Sequence, residues 1–116
     1  YYYRTSVGRT TIGKVEMIMN MNKTTDGTTL SIALEGRLDT ATAPQLEAEL
    51  KQSIGNSKKL VLDFEKLEYL SSAGLRVLLS AQKVMNKQGE MVIHNVNETI
   101  MEIFEVTVFI DILTVV

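Results

Sequence analysis

The chain has 116 residues, 45% hydrophobic and 22% charged, with a net charge of −2. That describes one domain able to bury its own core. It has no cysteine and a single histidine, His94, which excludes disulfides, thiolate chemistry and histidine metal clusters.

Residues 1–16 hold three basic groups against Glu16 (+2), and 17–116 carry nine basic and thirteen acidic groups (−4). An acidic domain repels phosphate backbones, so no direct nucleic-acid contact is expected. No apolar run approaches the ~20 residues of a membrane helix. No basic-then-apolar leader with a cleavage site is present. A cytoplasmic protein without membrane insertion is the expectation.

Residues 1–16 are rich in Thr, Gly and Arg and lack a clear period, so they are set apart as a leader or extra arm. The domain is expected over 17–116. Glu16 to Lys23 alternates, with Met17, Met19 and Met21 on one side. Thr29 to Glu35 alternates through Leu30, Ile32 and Leu34. Two such strands around Asp26-Gly27 read as a hairpin. Residues 36–43 form a loop. Thr42 and Gln45 have capping-box spacing, and Pro44 suits a first helical turn. Leu46, Leu50 and Ile54 make one helical stripe, closed by Gly55-Asn56.

Lys59 to Phe64 is a short apolar run that suits a central strand covered on both faces. A second helix starts near Ser71 or Ser72, carries Gly74, Leu78, Ala81 and Met85 on one stripe, and closes at Lys87-Gln88-Gly89. Glu90 to Asn95 reads as another strand. Asn97 is placed to cap a third helix bearing Ile100, Ile103 and Phe104. Asp111 to Val116 reads as a last apolar strand. The order β-β-α-β-α-β-α-β predicts an α/β fold. Its mixed sheet has about five strands, antiparallel at the opening hairpin and parallel across the helical crossovers.

Ser72 is the main candidate for chemistry. A serine in a first helical turn lies near solvent and near unpaired backbone N–H groups. A phosphate there adds roughly −1.5 to −2 charges. By physics alone Ser71 or Ser72 reads first as a helix cap worth ~1 kcal/mol. A triad of Ser72, His94 and an aspartate lacks the Gly-x-Ser-x-Gly elbow of a hydrolase. There is no Gly-rich phosphate loop either. Tyr69 reads as a half-buried core ring or a rim contact. Glu65, Lys66 and Glu68 read as solvated loop charges.

Several linked motifs carry a family resemblance. They are Leu34-Glu-Gly-Arg-Leu-Asp39, Val61-Leu-Asp-Phe-Glu-Lys-Leu67, Ser71-Ser-Ala-Gly-Leu75, Gly89 and the tail Ile103 to Leu113. Together these motifs resemble the STAS domain, in its anti-sigma factor antagonist branch. The resemblance implies a non-enzymatic binding module without cofactor or metal. It implies that Ser72 is the phosphorylation switch, with Ser71 as second choice. Many members carry Asp where this chain has Ser71.

The implied contact surface comprises Asp39, Thr40, Ser71, Ser72, Ala73, Gly74 and Arg76. The loop bearing Asp39 lies beside the switch serine in the family. By itself Asp39 reads equally as a turn aspartate bonding the backbone after it. Arg76 by itself reads as a solvated surface residue. The implied partners are an anti-sigma factor with serine kinase activity, of the histidine-kinase-like ATPase fold, and a phosphoserine phosphatase. The alternative is a non-catalytic subunit of a lipid-transport ABC ATPase or of a stress-signalling scaffold. Oligomeric state stays open. The tail departs from the family at Val108, which stands where Gly is usual; a positive φ there is costly for valine.

Overall fold

The computed structural model describes residues 19–116. The expected leader and the first residues of the opening strand lie outside them. The elements are β1 Met19–Asp26, β2 Thr29–Leu38, α1 Ala43–Ser53, β3 Lys59–Leu70, α2 Ser72–Gln88, β4 Glu90–His94 and α3 Glu98–Val106. A single 3-10 turn, Phe109–Asp111, follows α3.

The sheet order is β1-β2-β3-β4. β1 and β2 are antiparallel, joined by a two-residue turn that pairs Asp26 with Thr29. Gly27 takes φ 63° at its first central position, as the hairpin turn requires. β2 with β3, and β3 with β4, are parallel, as helical crossovers dictate.

The alternation of β2 buries Leu30, Ile32 and Leu34 on one face. Their partners in register are Leu60 and Leu62 on β3, then Met91 and Ile93 on β4. Leu46 and Leu50 of α1, Leu78 and Met85 of α2, and Ile100 and Phe104 of α3 join the same core. Phe104 meets Phe64 with ring centroids 6.5 Å apart. The opposite face carries Ser31, Ala33, Val61 and Asp63, each only half-buried. The expectation that β3 is covered on both faces is therefore corrected: Val61 lies on the open side, although Val92 beside it is buried.

β3 also runs six residues past its expected end at Phe64, to Leu70. The reason is two irregularities in its pairing with β2. Ala33 pairs with Asp63 but Glu35 with Lys66, and Gly36 pairs with Leu67 but Arg37 with Tyr69. Each step inserts one extra residue on β3, the signature of a β-bulge. Buried positions then fall at Phe64, Leu67 and Leu70, three apart. A period of two does not survive that insertion.

α2 is capped by Ser71 and closes against Gly89. A Cβ on Gly89 would fall on the Lys58 carbonyl, which accepts from Glu90 N–H at 3.0 Å. Asn97 caps α3 as expected, its side chain accepting from Ile100 N–H at 2.9 Å. Its amide also donates to the Leu67 carbonyl at 2.9 Å, which ties α3 to the bulged end of β3.

The expected last strand over 111–116 does not form. Val108 adopts φ 55°, ψ 17°, and the 3-10 turn takes the chain through Asp111. The tail meets the sheet as an isolated parallel bridge of Val115 to Ile93, in which Ile93 N–H donates to the Thr114 carbonyl at 2.9 Å and Val116 N–H donates to the Ile93 carbonyl at 3.0 Å. Among the described residues, four strands and one bridge stand where five strands were expected. Left-handed backbone costs a residue with a Cβ about 1–2 kcal/mol. Val108 is 60% exposed and has no deep packing to offset that strain.

Candidate functional site

The ends of β2 and β3 meet where α2 begins. Leu38 is fully buried and pairs with Leu70, and its carbonyl accepts from Ser71 N–H at 2.9 Å. Ser71 is extended, and its hydroxyl accepts from Gly74 N–H at 3.4 Å. Ser71 is half-buried and serves as the cap of α2. Ser72 is the first residue of α2 and is exposed, with Ala73 half-buried and Arg76 exposed one turn later. Gly74 is buried because the helix start rests directly on Leu38 and Leu70.

The loop after β2 lies beside this helix start. Asp39 Oδ1 accepts from the N–H groups of Ala41 at 3.0 Å and Thr42 at 3.1 Å. Its Oδ2 faces Arg37 Nε at 3.3 Å. Asp39 is thus a turn aspartate that organises its own loop. Thr40 and Ala41, at the tip, are exposed.

The expected capping box is corrected. Thr42 makes no side-chain bond to its helix. Its hydroxyl instead donates to the Arg37 carbonyl at 2.6 Å and accepts from Asp39 N–H at 2.9 Å. A fully buried hydroxyl must find partners, and the loop backbone supplies them ahead of the helix.

Arg37 was not among the expected site residues. Its guanidinium carbon sits 4.3 Å from the centre of the Tyr69 ring, within cation–π range. Tyr69 is 38% exposed, at the rim and not in the core. The Arg37–Tyr69 pairing depends on both bulges, so no spacing rule in the sequence points to it. Glu65, Lys66 and Glu68 are exposed, as expected.

His94 pairs with Asp63 at the other end of the strand. Six strand residues lie between Asp63 and Leu70, a span on the order of 20 Å, so Ser72 and His94 are not brought together. Among the described residues no group of three His, Cys, Asp or Glu side chains is placed to hold a metal ion. No described helix is long and apolar enough to cross a membrane.

Burial works to raise the Asp39 pKa, but the Thr42 N–H, Arg37, the Thr42 hydroxyl and the Ala41 N–H together hold it below 3.8. Burial likewise opposes ionisation of Glu49, while Lys23 and Ser53 hold it below 4.5. Both carboxyls bind protons more readily in the unfolded chain. Their contribution to stability is complete above those ordinary values and drains away as pH falls through the lower folded ones. In urea unfolding between about pH 6 and pH 3, wild type loses stability toward acid more steeply than Asp39→Asn. The two curves draw closer toward the acid end. Parallel curves throughout that range would rule out a depressed Asp39 carboxyl.

The STAS domain profile matches residues 20–116. BtrV of Bordetella bronchiseptica, whose name places it provisionally among the anti-sigma factor antagonists, is 41% identical over 88 residues, covering 74% of this chain and 76% of BtrV. In structure the chain is similar to an anti-sigma factor antagonist from Mycobacterium paratuberculosis, with TM-score 0.79, 18% identity and 87% of each chain covered. It is also similar to the antagonist SpoIIAA. Its unphosphorylated form gives TM-score 0.72 at 19% identity, covering 83% of this chain and 87% of that one. The phosphorylated Bacillus form gives TM-score 0.66 at 20% identity, covering 83% and 90%. At these identities the structures speak for the fold, and the profile and BtrV for the lineage. A match running from β1 to the last residue leaves one assignment: the chain belongs to the STAS domain family, in its anti-sigma factor antagonist branch.

Proposed function

We propose that the unphosphorylated protein binds an anti-sigma factor that is also a serine kinase, and that phosphorylation of Ser72 releases it. Binding withdraws the anti-sigma factor from its sigma factor, which then directs transcription in the cytoplasm. The docking surface is the start of α2, through Ser72, Ala73 and Arg76, with the adjoining loop of Asp39 and Thr40. Ser71 and Gly74 shape it from beneath.

The observation that carries this reading is the division of labour between the two serines. Ser71 is half-buried and accepts the cap bond from Gly74 N–H, while Ser72 stands exposed at the first helical position. Ser and Asp are comparable caps, so Ser71 can fill the place that Asp holds in many relatives. In the transfer, Ser72 Oγ forms a bond to the γ-phosphorus of ATP as the bond to ADP breaks. The hydroxyl proton passes to a base on the kinase. This chain supplies the acceptor only, in keeping with the distance of His94 and Asp63 from Ser72. A phosphoserine phosphatase then restores the hydroxyl. The name of BtrV and the two solved forms of SpoIIAA support the assignment.

Intact mass and fragment mapping of the protein isolated from its own cells test it. One phosphate is expected, on Ser72, absent from Ser72→Ala and retained in Ser71→Ala. A phosphate on Ser71 would move the switch by one residue. No phosphate under any growth condition would replace the switch with a constitutive subunit.

A further inference from the structure

We infer that Arg76 is the receptor for the phosphate on Ser72, so that modification draws its guanidinium off the docking surface. The inference rests on Ser72 being the modified residue. Both side chains are exposed on α2, four positions apart, and residues so spaced are neighbours on a helix surface. A helical side chain leans toward the N-terminus and covers the turn before its own Cα. Arg76 therefore lies over Ser72. An anion N-terminal to a cation at this spacing is the favourable orientation.

The surrounding charges single out Arg76. Arg37 lies near the end of β2 with Asp39 just past it, and at the end of β3 lie Glu68 and Tyr69. Arg37 is engaged twice, by Asp39 at 3.3 Å and by the Tyr69 ring. Asp39 is occupied by its own loop. Arg76 makes no ion pair with any described residue; the pairs present join Lys23–Glu49, Arg37–Asp39, Lys51–Glu47 and Lys59–Glu90. A serine hydroxyl cannot hold a guanidinium in one place, so in the unmodified protein Arg76 is displayed to a partner. A phosphate has roughly −1.5 to −2 charges and three acceptor oxygens, which match the planar fork of arginine. The switch then has two parts: a charge is added at Ser72 and a cation is taken away at Arg76.

The test uses the full chain with phosphoserine incorporated at position 72 during translation, so no kinase is needed. Phosphorus NMR follows the second ionisation of the phosphate, near pH 6 for an isolated phosphoserine. In wild type it is expected about half a pH unit or more below its value in Arg76→Gln. Arg76→Lys should recover part of the difference, because the charge returns without the fork. Equal titration of wild type and Arg76→Gln would overturn the inference. So would a shift in Arg37→Gln with none in Arg76→Gln, which would give the role to Arg37. Because the phosphate is installed directly, this result stands apart from whether cells phosphorylate Ser72.

Discussion

Ser72→Asp is expected to weaken binding to the anti-sigma partner at least thirtyfold while the protein melts slightly higher than wild type. The two effects have opposite signs for physical reasons. A carboxylate in the first turn of a helix is favoured by the dipole and the unpaired N–H groups, by about 0.3–1 kcal/mol. Taking an added charge into a desolvated interface costs several kcal/mol, a pairing with Arg76 also takes that cation from the partner, and about 2 kcal/mol already accounts for thirtyfold. Ser72→Ala should bind like unmodified wild type and no longer respond to ATP. Titration calorimetry and thermal melting, run on the same samples, separate a damaged fold from a damaged surface. An Asp variant that binds as tightly as wild type would remove Ser72 from the docking surface.

Gly74→Ala is expected to lower stability by about 1–2 kcal/mol and to weaken partner binding by about tenfold. A Cβ at this position would lie 2.7 Å from Leu70 Cδ1, 2.8 Å from Leu38 Cγ and 3.0 Å from the Leu38 carbonyl. The Leu70 methyl can turn away. Leu38 cannot, because it is fully buried and its carbonyl holds Ser71 N–H. The start of α2 must lift instead, and Ser72 and Arg76 move with it. Alanine recovers up to about 1 kcal/mol through helix propensity, which is already included in the net figure. The melting temperature should fall by about 4–8 °C for each kcal/mol lost. A variant that melts at or above wild type would mean that propensity outweighs the contact and that Gly74 is not a packing requirement.

The elements that could be read in advance share one property: their signals are local. The stripes of α1 and α2, the Asp26-Gly27 hairpin and the Asn97 cap each depend on residues within a few positions. Where expectation failed, the deciding partner was distant. Thr42 has capping-box spacing, yet its hydroxyl is taken by the Arg37 carbonyl and Asp39 N–H. Glu65 to Leu70 looks like a loop because two bulges against β2 break the alternation. The tail looks like a strand, but the left-handed Val108 turns it first, and it meets the sheet at a single bridge around Val115.

The same division runs through the candidate site. Hydrophobic periodicity was enough for the α/β class and for the pair Ser71-Ser72 at a helix start, because each is a statement about neighbours along the chain, and the family came from the resemblance of the linked motifs. Which serine caps and which is displayed depends on the Leu38 carbonyl, thirty-three residues upstream of Ser71. The stacking of Arg37 on Tyr69 depends on register across two bulged strands. Hydrogen bonds and ring contacts form between groups that are near in space, and folding alone brings residues 37–42 and 69–76 together.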